Sequence, residues 1–176
     1  MPPLRTLITG MGCCCAPGFG IAELQHHLGN LPVRCGPVPP DLFATDLPFP
    51  AFVVGQPLHS PMAARLLAAS PAARFMPSHC NRTLLLTLEA VAEAVAAAAI
   101  TPETLRTARI GVILGTTVGC TFNNEEYYAA WRGGLEPELT PVCNYLGSNL
   151  AAIVRTVLGA RGPAAVLTNA CSSGTD

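Results

Sequence analysis

The stretch "VLTNACSSGTD" carries β-forming residues into a single cysteine, Cys171, and then into the small and polar run Ser172, Ser173, Gly174, Thr175, Asp176. A thiol at the end of a strand, followed by residues small enough for a sharp turn into a helix, is raised above a sheet in the manner of a nucleophile. The exposed N–H groups and positive dipole end of such a helix favour thiolate over thiol. The chemistry within reach is acyl transfer through a thioester. The same residues also fit an inert cysteine buried in a small-residue turn, and the local pattern leaves both readings open.

Other residues of chemical promise fit plainer roles. Cys13, Cys14 and Cys15 are consecutive, so their side chains leave the chain in different directions and do not chelate one metal together; packing accounts for them better. His79 and Cys80 lack spaced partners, and His26 and His27 fall on a helix as surface residues, so no metal site is expected. Eight cysteines with no C-x-x-C pair point to reduced thiols in a cytoplasmic setting. "TGMGCCCAPGFG" invites a dinucleotide-binding reading through Gly10 and Gly12, but Cys15 stands where the third glycine belongs. Turn and packing roles are the better account of these glycines.

Composition excludes further classes. Half of the 176 residues are hydrophobic and 12% are charged, which describes a globular chain, and the net charge is −1. All ten basic residues are arginines scattered singly, so nucleic acid is not an expected partner, and with no lysine a Schiff base is excluded. The most apolar stretch, "LLLTLEAVAEAVAAAAI", carries Glu89 and Glu93 and falls short of the roughly 20 residues of a membrane span. Arg5 and "TLITGMGC" only faintly resemble an export signal, whose apolar run needs about 7 to 15 residues.

The elements that must position Cys171 are set by periodicity. "LRTLIT" reads as a short buried strand entering a glycine loop, and Ile21, Leu24 and Leu28 fall at helical spacing before a stop at Gly29. Prolines crowd residues 32–61, which predicts an irregular excursion. Asn81 can cap a long helix whose alanines let neighbours approach closely. "RIGVILG" and "AAVLTNA" are buried strands, with helices in "NNEEYYAAWRGG" and in "NYLGSNLAAIVRTVLGARGP", the latter ending at Gly159. Apolar strands alternating with helices predict a mainly parallel α/β sheet covered on both faces, with no linker or repeat marking an internal boundary.

In order along the chain, "ITGMG", "NRTLLLTLEAVAEAV", "RIGVILGTTVGC", "CNYLGSNLAAIVRTVLGARGP" and "TNACSSGTD" resemble the β-ketoacyl synthases, condensing enzymes of fatty-acid and polyketide synthesis with a thiolase-like fold. The elbow "TNACSSGTD" is the specific motif, and residues 32–61 match least. The chain departs from the family pattern at Asn81, where aspartate is usual, at Cys120, where glycine is common, and at Cys13 to Cys15, followed by Ala16, Pro17 and Gly18, where small aliphatics lead to a Ser-Pro-x-Gly turn.

The resemblance implies an α/β thiolase-like layered fold, here its N-terminal half, a mainly parallel mixed sheet covered by helices over residues 1–176 and ending at the elbow. It implies that Cys171 takes an acyl group from an acyl carrier protein or coenzyme A thioester, with its backbone N–H as one oxyanion donor, and that a carbanion from decarboxylated malonyl then attacks. It implies no cofactor beyond the phosphopantetheine that carries the substrates, and a homodimer or a heterodimer with another ketosynthase subunit. The family's decarboxylation residues, its lysine and its second oxyanion donor lie in a second half, and none of His26, His27, His59 or His79 sits in a matching motif. An N-terminal portion incompetent alone is the expectation. A non-catalytic partner subunit or remnant is the alternative in another class, and a thiolase-type acyltransferase is the weaker one.

Overall fold

A computed structural model describes residues 6–16, 18–30, 36–37, 46–51, 61–68, 82–117, 125–139 and 150–175. The chain divides into two compact units, each built from two segments: Met1–Ala63 with Leu86–Ala99, and Ala64–Leu85 with Ile100–Asp176.

In the first unit, β1 (Cys14–Cys15) pairs antiparallel with β2 (Gly18–Phe19), and α1 (Ile21–Gly29) comes at once after them. Gly20 caps α1 at φ +97, a left-handed backbone that glycine adopts without steric cost. An isolated bridge joins Gly36 to Ala51. The long helix α3 (Arg82–Ala97) lies later in the chain than α2 (Pro61–Ala68), and its residues from Leu86 onward belong to this unit. Leu84, Leu88 and Ala92, four apart, are fully buried. A second row of small residues, Ala90, Ala94 and Ala98, receives the backbone of Gly10 and Gly12, where a Cβ on either glycine would overlap the helix backbone. The glycines of "GMG" thus serve close packing, in agreement with the packing role expected for them.

Among the described residues of "LRTLIT" the expected strand is not formed. Residues 6–10 carry no ladder pairing, and Leu7 and Ile8 are exposed. An apolar run becomes a buried strand only when a partner satisfies its backbone groups, and among the described residues this one has none.

In the second unit, β3 (Val112–Gly115) and β4 (Ala164–Leu167) run parallel, with Val112 opposite Ala164 and Gly115 opposite Leu167. Between them in the chain lie α5 (Glu125–Arg132) and α6 (Leu150–Leu158). Leu150, Ala151, Val154, Val157 and Leu158 form the buried face of α6, which packs on both strands. Gly159, at φ +67, ends α6 as predicted: its N–H reaches the Thr156 carbonyl at 3.1 Å and the Ala160 N–H reaches the Arg155 carbonyl at 3.0 Å, a Schellman pair of bonds.

A helix outside the predicted alternation, α4 (Pro102–Thr107), rests against α6 through buried Leu105. Its signals are local: the Thr101 hydroxyl accepts the Thr104 N–H at 3.1 Å, and proline occupies the first turn. Covering of the sheet on both faces is not seen among the described residues. Val112 is buried on one side of β3, whereas its neighbour Ile113 is 68% exposed on the other. The capping role read for Asn81 falls outside the described residues.

Candidate active site

β3 and β4 end together, and the segments leaving those two ends build the surroundings of Cys171. The Thr116 N–H extends the ladder to the Leu167 carbonyl at 3.0 Å. Beyond β4 the chain turns sharply into a 3₁₀ turn, Ala170–Ser172. Ala170 takes φ 47, a left-handed backbone that costs an alanine about 1 to 2 kcal/mol. Cys171 comes next, a thiol in no disulfide, and it is exposed. Its exposure differs from the buried setting of the alternative reading. The candidate thus stands at the carboxyl ends of two parallel strands, where open α/β sheets commonly bind ligands.

The strain at Ala170 is held by hydrogen bonds. Its carbonyl accepts from the Thr117 hydroxyl at 3.1 Å, the Ser173 hydroxyl at 2.7 Å and the Ser173 N–H at 3.3 Å. At a net worth of about 1 kcal/mol each, these bonds suffice to offset the left-handed turn. The Ser173 hydroxyl, on a residue only 4% exposed, also accepts the Asn169 N–H at 2.7 Å. The Asn169 carbonyl in turn accepts both the N–H and the hydroxyl of Ser172, at 3.1 and 2.9 Å. β3 passes so close beneath that a Cβ on Gly115 would overlap the Ser173 carbonyl.

An α-helix starting at Cys171 is not what the described residues form. The bonds after the turn remain of the i to i+3 kind, as with Thr175 N–H to the Ser172 carbonyl at 2.8 Å. The expected support of the thiol by a helix dipole has no α-helix within the described residues to rest on.

The remaining residues of promise lie elsewhere in the chain. His26 and His27 are exposed on α1, their rings edge to face at 5.7 Å, while His59, His79 and Cys80 fall outside the described residues. No group of three or more potential metal ligands occurs among the described residues. Cys13, Cys14 and Cys15 are half-buried, and no helix among the described residues is long and apolar enough to cross a membrane.

Sequence reasoning missed Thr117, Ser173 and Ala170 as the residues that hold the cysteine. The two hydroxyls of "CSSG" were a usable signal, because serine readily bonds its own nearby backbone in turns. Thr117 lies 53 residues from Ala170, and no local pattern links them.

With this arrangement in view, comparison with known families is decisive about ancestry. The family model described as Beta-ketoacyl synthase, N-terminal domain, matches residues 5–176, and the chain belongs to this family of acyltransferase-type condensing enzymes with a thiolase-like α/β fold. Among curated proteins none matches the chain.

Proposed function

We propose that Cys171 is the acyl-accepting nucleophile of a β-ketoacyl synthase acting in fatty-acid or polyketide synthesis. The observation that carries this reading is an exposed thiol one residue beyond a strained, hydrogen-bonded Ala170 at the ends of β3 and β4. In the first half-reaction the thiolate attacks the carbonyl carbon of an acyl thioester. A carbon–sulfur bond forms at Cys171, and the carrier thiol leaves with the proton that Cys171 gave up. The oxyanion formed on the way is held by the Cys171 N–H and by a second donor outside these 176 residues. Decarboxylation of a malonyl thioester then supplies a carbanion that attacks the enzyme-bound acyl group and expels the Cys171 thiolate.

The substrates arrive on the phosphopantetheine of an acyl carrier protein or on coenzyme A, in a cytoplasmic setting, and no resident cofactor is needed. The synthase pairs with itself or with another ketosynthase subunit, and its sheet is completed and covered as in a thiolase-like layered fold. The exposed Ile113 on β3 supports such covering. Because the acid–base groups for decarboxylation match no residue of this chain, the 176-residue chain is inactive alone. Incubated with malonyl carrier protein and an acyl thioester, it is expected to release no more carbon dioxide and no more elongated product than its Cys171→Ala variant. Turnover above that control would overturn the inactivity, and failure of an acyl thioester to label Cys171 in the chain joined by a complete second half would overturn the nucleophile.

A further inference from the structure

Three thiols stand in a row before and within β1, and the proposed condensation uses none of them. Alternation along the segment separates Cys14 from its neighbours and brings Cys13 and Cys15 to one side. The Cys13 thiol donates to the Cys15 sulfur at 3.6 Å, and the Cys15 thiol donates to the Gly18 carbonyl at 3.6 Å. The backbone that carries Cys13 is fixed on both sides. Its N–H is held by Glu93 Oε2 at 2.9 Å, and its carbonyl accepts the Gly20 N–H at 2.8 Å. Cys15 is paired with Gly18 in the β1–β2 register, where no side chain stands opposite it. Both thiols are half-buried. The 3.6 Å separation exceeds a disulfide bond of about 2.05 Å by roughly 1.5 Å.

We propose that Cys13 and Cys15 are a dithiol that closes to an intramolecular disulfide by exchange with a small-molecule disulfide, making this segment a reversible oxidation site that does not involve Cys171. The Cys15 thiolate attacks one sulfur of the reagent and releases its other half as a thiol, leaving a mixed disulfide on Cys15. Cys13 then gives up its proton and attacks the Cys15 sulfur, and the second half of the reagent leaves with that proton. Two protein thiols are oxidised to one disulfide and one small disulfide is reduced to two thiols. Burial first, and then the hydrogen bond to Cys15, raise the Cys13 pKa, which suits Cys13 to the second, resolving step.

The order of arginines makes the test direct. Trypsin cuts after Arg5 and Arg34, so the peptide of residues 6–34 holds Cys13, Cys14 and Cys15 and no other cysteine. The full chain is treated with oxidised glutathione, alkylated, digested and sequenced by mass spectrometry. This peptide is expected to be lighter by two hydrogens, with the alkyl group on Cys14. Cys14→Ser should retain the disulfide. Cys13→Ser should lose it and accumulate the glutathione adduct on Cys15, and Cys15→Ser should lose it as well. Full alkylation of all three thiols, a persistent adduct on the native chain, or a bond that includes Cys14 would overturn the proposal.

Discussion

The Thr117 hydroxyl donates to the Ala170 carbonyl at 3.1 Å, so the end of β3 grips the residue immediately before Cys171. Thr117→Val removes that donor with little change in shape and is expected to cost about 1 kcal/mol. Ser173→Ala should cost more, about 1 to 3 kcal/mol, because the buried Ser173 hydroxyl makes two bonds, donating to the Ala170 carbonyl and accepting the Asn169 N–H. Urea unfolding ranks the two, and equal losses would contradict the assigned geometry.

Gly115→Ala places a methyl group against the Ser173 carbonyl, where backbone must move. We expect a loss of about 1 to 3 kcal/mol and a changed rate of Cys171 alkylation by iodoacetamide. Gly29→Ala, which meets open space, is the control and should leave that rate unchanged.

Glu93 accepts the Cys13 N–H at 2.9 Å and the Ile21 N–H at 2.8 Å, one on each carboxylate oxygen, the latter at the start of α1. Glu93→Gln keeps one acceptor and should lose about 1 to 3 kcal/mol, and Glu93→Ala should lose more. Amide hydrogen exchange reads the result at residues 13 and 21. Unchanged protection of both in Glu93→Ala would refute the bridge.

Cys13 supplies a pH dependence. Burial, helped by the hydrogen bond to Cys15 and by the charges of Cys15 and Glu93, raises its pKa above the usual thiol value of 9.0. The folded chain then holds the thiol proton more tightly than the unfolded chain does. The resulting stability is fully present below the ordinary thiol range and is lost as pH climbs through the raised value. Cys13→Ala should therefore show a shallower alkaline loss of stability than the parent chain, as measured by urea midpoints from neutral pH upward. Parallel curves would exclude the effect.

Much of the site was legible because it is local. The strand into Cys171 and the glycine that ends α6 each depend on residues within a few positions, and periodicity and turn chemistry report such neighbours well. What escaped depends on distance in sequence or on what pairs with what. Leu7 and Ile8 have strand character but no ladder, and Thr117 meets Ala170 only because β3 and β4 pair in register. Glu93 reads as one polar position on an apolar helix, and only the folded unit brings Cys13 and Ile21 to it. α4 is the exception, since its threonine and proline signals were local and readable.

The seam between "GMG" and α3 has a consequence for how this chain can drift. Most core contacts tolerate exchange, one partner growing as the other shrinks. Here Gly10 and Gly12 meet the helix backbone itself along Ala90, Ala94 and Ala98, so no smaller neighbour exists to make room. Enlargement of either glycine has no second-site remedy in a side chain. A segment that looks like low-information alanine and glycine is therefore among the least negotiable in the molecule.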